Sequence, residues 1–185
     1  MVKQEEQDIT VIIQGCIRQN EKSREVLYRK FFGYAMSVAL LYAKERNDAI
    51  EIVDDSFIKV FHEIKRYDTS KPFKIWLRKI VINTAIDKYR KELKRGVMVD
   101  VQELTLQDLH QDVVGSITFK EIINMLKYLP QLHRTVFCLY EIEGYSHEEI
   151  SKELKIPESS SRVYLSRSKK RLQEIFKLHF NTSHK

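Results

Sequence analysis

Apolar residues recur at intervals of three and four in the N-terminal half of the chain, which is the pattern of a helix with one buried face. Between Lys22 and Lys44 the apolar positions are Leu27, Phe31, Tyr34, Ala35, Val38 and Tyr42. This stripe predicts a helix, and Ser23 is its predicted N-cap.

A second stripe predicts another helix, which begins near Asn47 or Asp48 and ends before Tyr67. Its apolar positions are Ile50, Val53, Phe57, Val60, Phe61 and Ile64. Asp48 and Glu51 have the spacing of a capping box, so we expect their side chains to satisfy the first backbone N–H groups of this helix.

The segment 67–72, YDTSKP, is rich in turn-forming residues and separates the second helix from a third. Pro72 suits the first turn of that third helix, which we expect to run to about Arg95. Residues 1–95 are therefore predicted to form one helical domain.

The stretch that follows differs sharply in charge, because residues 96–115 include no Lys or Arg and four acidic residues. We predict that this stretch is a linker. Helical spacing resumes near Phe119 and is interrupted at Pro130 and Gly144, which predicts several short helices in a second domain, 116–185.

The second domain contains the pattern of a helix-turn-helix. Ser146 and Glu149 form a predicted capping box that begins a short helix, and residues 155–157 form a turn. A second helix is predicted to begin near Glu158 or Ser159. In a helix-turn-helix this second helix lies in the major groove of DNA, with its N-terminal residues near base edges.

The composition agrees with an all-α fold of two small helical domains joined by a linker. Only 5 Gly and 3 Pro occur in 185 residues, which disfavours a β-sandwich with many turns. Cys16 and Cys138 have no CxxC partner and the six His lack metal-ligand spacing, so we expect no disulfide framework, no metal and no cofactor.

The N-terminus lacks the basic and apolar segments of a signal peptide. The longest uncharged run, 31–43, is shorter than the roughly 20 residues of a transmembrane helix. We therefore expect a cytoplasmic protein without a membrane anchor.

The net charge of +6 is concentrated in two segments. Residues 71–95 include nine basic and two acidic residues, and residues 155–177 include seven and two. One face of the third helix carries Lys79, Asn83, Asp87, Arg90 and Lys94. Such a face suits contacts with phosphates and bases, and an ordinary solvated surface is the alternative.

Aromatic residues precede this face at Tyr67, Phe73 and Trp76. Aromatic planes beside a basic groove suit unpaired bases. Packing in the core is the alternative for Phe73 and Trp76.

The second helix has the opposite charge, with Glu51, Asp54 and Asp55 exposed and no Lys or Arg between residues 47 and 58. This face is predicted to bind a protein, and a merely solvated face is the alternative. Enzyme motifs are missing, because His147 and Glu148 are not followed by the second His of zinc proteases, and the glycines cannot form a phosphate-binding loop. We expect no catalysis by this chain.

The run FKIWLRKIVINTAIDKYRK resembles conserved region 2 of the sigma-70 family, in its small extracytoplasmic-function (ECF) type. The matching positions are Phe73, Trp76, Leu77, Ile80, Asn83, Asp87, Arg90 and Lys91. Upstream, NDAIEIVDDSFIKVFHEI resembles region 2.2 and LYRKFFGYAMSVALL resembles region 2.1. Downstream, LPQLHRTVFCLYEIEGYSHEEISKELKIPESSSRVYLSRSKKRL resembles region 4. The resemblance covers about residues 20–95 and 116–177.

The resemblance implies a role for each surface. The region 2.2 helix would bind core RNA polymerase through Glu51, Asp54 and Asp55. Region 2 would read and melt the −10 promoter element, for which the matching residues are Lys71, Phe73, Lys74, Trp76, Lys79, Asn83, Asp87, Arg90 and Lys91. The loop 67–71 would capture a base flipped from the nontemplate strand.

Region 4 would read the −35 element through the second helix of the helix-turn-helix. The residues at that face are Ser159, Ser160, Arg162, Val163, Tyr164 and Arg167. This chain departs from the family where residues 159–161 replace a frequent Gly-Thr-Val and where Tyr164 replaces a frequent Arg.

The resemblance thus implies a transcription initiation factor with core RNA polymerase and promoter DNA as partners. An anti-sigma factor is a further partner that it implies. The alternatives are a helix-turn-helix regulator that never engages polymerase, and a helical interaction module without affinity for DNA. Reversing the charge of Asp54 and Asp55 separates the first two hypotheses, and salt-dependent DNA binding excludes the third.

Overall fold

A computed structural model describes the backbone of residues 2–94 and 118–181, with side-chain surroundings for residues 9–94 and 118–178. The described ranges contain eight α-helices and no strand, so the all-α prediction is confirmed. The chain divides into two compact units, Met1–Lys88 and Tyr89–Lys185. The predicted linker, 96–115, lies outside the described residues, and the domain bounds 1–95 and 116–185 stay predictions.

The first unit is a helical bundle. Its elements are α1 (Val2–Ile17), α2 (Glu21–Ala39), α3 (Arg46–Glu63), a single 3₁₀ turn (Ile64–Arg66) and the greater part of α4 (Phe73–Lys94). The helix α2 packs against both α1 and α3. The core of the unit includes Leu27, Ala35, Val53, Phe57, Val60, Leu77 and Val81.

The start of α2 differs from the prediction, because its N-cap is Asn20 and not Ser23. Asn20 Oδ1 accepts hydrogen bonds from Ser23 N at 2.9 Å and from Ser23 Oγ at 3.2 Å. Helix α1 was not predicted from the sequence, and its close packing on α2 requires Gly15. A Cβ atom at Gly15 would lie 2.0 Å from Ser23 Oγ, so the glycine allows the two helices to approach.

The capping of α3 also differs from the prediction. The helix begins at Arg46, and its N-cap Glu45 makes no side-chain capping bond. Asp48 and Glu51 do not form a capping box, because both accept hydrogen bonds from Lys88 Nζ on α4, at 3.0 and 2.6 Å. The predicted end of this helical segment before Tyr67 is confirmed, as is the beginning of α4 directly after Pro72.

The second unit consists of short helices packed on a long one. They are α5 (Phe119–Lys127), α6 (Gln131–Phe137), a π-helical turn (Cys138–Ile142), α7 (His147–Leu154) and α8 (Glu158–Asn181). The breaks at Pro130 and Gly144 are as predicted, and Gly144 has a left-handed φ of 74°. The core includes Leu126, Val136, Leu139, Ile150, Leu154, Leu165 and Ile175.

The helix-turn-helix is confirmed at each of its local signals. Ser146 and Glu149 form the predicted capping box at the start of α7. Lys155 ends that helix with a left-handed φ of 55°, and Ser151 Oγ donates to the carbonyl oxygen of Ile156 at 2.7 Å. The recognition helix α8 then begins at Glu158.

Candidate nucleic-acid interface

An aromatic cluster fixes the junction between the loop 67–72 and α4. Phe73 is at its centre, with ring centroids 4.7 Å from Phe31, 5.5 Å from Tyr67 and 5.6 Å from Trp76. Tyr67 and Trp76 lie 5.0 Å apart. Phe73 is only 5% exposed, so in this conformation it packs in the core and a base cannot reach it. Trp76 and Tyr67 are half-buried.

Local hydrogen bonds shape the loop itself. Asp68 Oδ1 accepts from Ser70 Oγ at 2.7 Å and from Ser70 N at 3.0 Å, and these bonds hold the pKa of Asp68 below its ordinary value. Tyr67 Oη donates to the carbonyl oxygen of Lys71. The loop is therefore preformed, with Thr69 and Ser70 exposed at its tip.

An open cavity of about 700 Å³ lies between this loop, α1, α2 and the start of α4. Its apolar wall includes Ile9 and Ile13 of α1, and its rim carries the exposed amines of Lys30, Lys71 and Lys74. A concave site with an apolar wall and cations at its rim can hold a planar base while the amines meet the adjoining phosphates. The contribution of α1 to this wall was not predicted from the sequence.

The basic face of α4 is partly exposed and partly engaged within the unit. Lys74, Lys79 and Lys91 are exposed, whereas Asn83 and Asp87 are half-buried. Asp87 Oδ2 accepts from Lys59 Nζ on α3 at 3.1 Å. This ion pair orients the Asp87 carboxylate and reduces the negative charge that DNA would meet. Arg90, also half-buried, follows on the last turns of α4.

The acidic face of α3 carries the three predicted polymerase-binding residues, all exposed. Glu51 is bound to Lys88, and Asp54 Oδ1 accepts a hydrogen bond from Tyr28 Oη at 2.8 Å. Among residues 9–94 and 118–178, the side chain of Asp55 has no hydrogen bond or ion pair. Burial alone would lower the pKa of Lys88, but its hydrogen bonds to Glu51 and Asp48 outweigh burial and raise that pKa.

The recognition helix α8 exposes part of the predicted −35 set. Ser159, Arg162, Val163 and Arg167 are exposed, while Ser160 is half-buried. Arg162 is bound to Glu158 one turn earlier, so its guanidinium is held near the start of the helix. The Tyr164 side chain is half-buried, and its ring lies 4.8 Å from that of His133 on α6.

Ser166 of α8 was not predicted, and Lys170 was counted among the basic residues of 155–177 without a place in the −35 set. Ser166 and Lys170 line an open groove with Arg162. They follow Arg162 at intervals of four, so the helical period that picked out the apolar stripes could have found them. The neighbouring Lys169 is engaged with Glu141 of the π-helical turn at 2.7 Å.

Two family models match the chain in the order of the two units. The model described as Sigma-70 region 2 matches residues 27–95, and the model described as Sigma-70, region 4 matches residues 119–172. The chain belongs to the sigma-70 family. Region 2 thus begins within α2 and leaves α1 outside the matched segment, whereas region 4 takes in α5, α6, α7 and most of α8.

Its relatives place it among ECF sigma factors, which are transcription initiation factors. The ECF RNA polymerase sigma factor SigM of Bacillus subtilis (strain 168) is 25% identical over 155 residues, which cover 81% of this chain and 93% of that protein. The RNA polymerase sigma factor SigV of the same organism is 30% identical over 114 residues, which cover 62% and 67%.

A solved structure supports the fold of this sigma factor. It is the sigma factor RpoE in complex with the anti-sigma factor NepR from Bartonella quintana, with 20% identity and a TM-score of 0.51. The match covers 83% of this chain and 96% of that chain. No helix in the described ranges of our chain is long and apolar enough to cross a membrane, and those ranges hold no cluster of three metal-ligating side chains.

Proposed function

We propose that this ECF sigma factor binds core RNA polymerase through α3 and reads promoter DNA through α4, the loop 67–72 and α8. The observation that carries the proposal is the separation of charge within region 2. The acidic side chains of α3 and the exposed lysines of α4 lie on different helices, so one small unit can bind a basic protein surface and the DNA backbone together.

On α3, Asp54 and Asp55 carry the polymerase contact. Glu51 contributes less, because Lys88 already neutralises it. An exposed carboxylate that keeps its charge attracts a basic partner surface at long range and selects against acidic ones.

At the −10 element, the phosphates are contacted by Lys71, Lys74, Lys79 and Lys91. The side-chain amide of Asn83 offers both a hydrogen-bond donor and an acceptor to a base edge. Arg90 adds a further donor, and Asp87 is held in place by Lys59. Phe73 and Trp76 support the loop from beneath. The cavity beside the loop receives a base that has left the stack, which favours the melted over the paired DNA.

At the −35 element, Arg162, Val163 and Arg167 meet the major groove with Ser159 and Ser160 at the N-terminal end of α8. Val163 offers an apolar contact of the kind that thymine methyl groups accept. Tyr164 contributes by packing on α6, so its replacement of a basic residue shifts recognition toward Arg162 and Arg167.

The chain transfers no chemical group, since polymerase performs the catalysis and the sigma factor contributes binding energy. It acts in the cytoplasm, where polymerase and chromosomal DNA meet. An anti-sigma factor is a further proposed partner, supported by the relative that was solved with one.

The test is transcription in vitro from fragmented genomic DNA by a bacterial core polymerase with and without the chain, with transcript 5′ ends mapped. We expect new starts that share two upstream motifs at a fixed spacing. DNA binding without new starts would instead indicate a regulator that does not engage polymerase.

Charge reversal tests the polymerase face directly. Asp54→Lys with Asp55→Lys should abolish the new starts and the co-purification with core polymerase, because like charges then face each other. Glu63→Lys is the control for Asp54→Lys alone, since these two reversals change the net charge equally and Glu63 lies on the opposite side of α3 from Asp54. Loss of new starts in the control as well would contradict the assignment to this face.

A further inference from the structure

The seam between α2 and α3 contains a hydrogen bond that joins the two helices beside the polymerase face. Tyr28 Oη on α2 donates to Asp54 Oδ1 on α3 at 2.8 Å. The Tyr28 ring is fixed by Phe57 and Phe32, with centroids 4.8 and 5.4 Å away. Because Phe57 is fully buried, the hydroxyl group stands on a rigid support.

The partner of Asp54 differs in kind from the partner of Glu51. Lys88 meets Glu51 with a positive charge and cancels much of its field. A phenol is neutral, so Tyr28 fixes the direction of the Asp54 carboxylate and leaves its charge intact. Burial, together with the hydrogen bond to Asp54, raises the pKa of Tyr28 to about 12, so the phenol remains a donor at neutral pH.

An exposed aliphatic side chain adjoins this carboxylate. Ile58 is 56% exposed and follows Asp54 by one helical turn, on the same face of α3. A carboxylate of fixed direction beside an aliphatic contact fits a partner surface that pairs a basic group with an apolar one.

We propose that Tyr28 is a positioning residue for polymerase binding, which holds the charged Asp54 carboxylate in the orientation that a basic group of the polymerase binds. The inference rests on the proposed function of α3. The physical reason is preorganisation, because a carboxylate that is already oriented loses less conformational freedom when its partner binds.

The test measures the affinity of the full chain, labelled at its N-terminus, for a bacterial core RNA polymerase by fluorescence anisotropy. Tyr28→Phe keeps the ring and removes the hydrogen bond, and we expect binding to weaken about three- to tenfold. In an Asp54→Asn background the same change should alter affinity by less than about twofold, because the phenol acts through the carboxylate.

Controls separate positioning from a structural role. Glu63→Gln removes a carboxylate from the opposite side of α3 and should bind like the wild type. The thermal unfolding midpoint of Tyr28→Phe should stay close to that of the wild type. If the midpoint falls, the wild type, Tyr28→Phe, Asp54→Asn and the double variant are compared at a temperature where all four are folded. An effect of Tyr28→Phe that is undiminished in the Asp54→Asn background overturns the inference.

Equal binding by wild type and Tyr28→Phe would overturn the inference and leave polymerase binding by α3 in place. A wild-type chain that does not bind core polymerase would overturn the proposed function and the inference together. Weakened binding that disappears in the Asp54→Asn background would support both.

Discussion

A ring contact and a hydrogen bond join the recognition helix α8 to α6. Tyr164 of α8 lies against His133 of α6, and Ser168 Oγ donates to the carbonyl oxygen of His133 at 3.0 Å. Burial and the nearby Arg167 lower the pKa of His133 below its ordinary value of 6.5. The neutral imidazole is therefore the form that fits this packing.

We expect the stability of the second unit to fall as the pH drops from 7.5 to 5.5. As the pH falls, His133 takes up a proton in the unfolded chain before it does so in the folded chain. The stability gained from a neutral, packed His133 is therefore present above about pH 6.5. It is lost as the pH falls toward the lower pKa of the folded state. The thermal unfolding midpoint of the chain as a function of pH measures this effect. His133→Phe keeps a ring against Tyr164 and should flatten the pH dependence. Part of that dependence should remain, because burial also lowers the pKa of His147. An unchanged slope in His133→Phe would contradict the prediction.

Two helices of the second unit begin with the same local device. Thr118 and Glu121 cap α5, and Ser146 and Glu149 cap α7. In each box the hydroxyl oxygen accepts from the backbone N–H three residues later, and the glutamate accepts from the backbone N–H of the cap. The two helices differ in position, because α7 is the first helix of the helix-turn-helix and α5 precedes it.

Removing either cap should cost about 1 kcal/mol of unfolding free energy, with different effects on DNA binding. Ser146→Ala frays the first turn of α7, which supports α8, so the affinity of the holoenzyme for a promoter should fall. Thr118→Ala is the matched control, and its promoter affinity should equal that of the wild type. Urea unfolding and a promoter competition assay measure the two quantities. Equal losses of promoter affinity in both variants would show that overall stability, and not α7, is responsible.

At the scale of the whole molecule, the net charge of +6 conceals a local segregation of charge. The exposed side chains of α3 include four carboxylates, and those of α4 and α8 include nine lysines and arginines. A uniformly basic protein would bind DNA without polymerase and repel a basic protein surface. The segregation lets the chain join both partners.

The segregation predicts which cations set the salt dependence of promoter binding. Replacing Lys71, Lys74 and Lys79 with Gln should reduce the slope of log affinity against log salt by about 2 to 3, because each phosphate contact contributes roughly 0.7 to 0.9. The control replaces Lys22, Lys120 and Lys127 with Gln. These three lysines are exposed and lie outside α4 and α8, and their replacement changes the net charge by the same amount. Filter binding of the promoter by holoenzyme measures both slopes. The salt concentration is varied from roughly 50 to 200 mM, where the salt dependence of DNA affinity is large. An equal fall in the control would indicate that net charge alone governs binding.

Local signals in the sequence determined the helix-turn-helix. The capping box at Ser146, the turn ended by Pro157 and the apolar pair Ile150 and Leu154 act over a few residues, and the structure confirms each of them. The charged faces of α3 and α8 were predictable for the same reason, since helical spacing alone decides which side chains share a face.

Tertiary structure decided what local signals could not. Asp48 and Glu51 had the spacing of a cap, yet Lys88, which is distant in sequence, binds both of them. Phe73 and Tyr164 matched a DNA-binding pattern and pack instead against Phe31 and His133. The sequence by itself determined the helices, the turn and the charge of each face, because these depend on residues within one or two turns. Which side chains remained available to a partner was decided by the tertiary structure, because contacts between distant segments bury, pair or orient them.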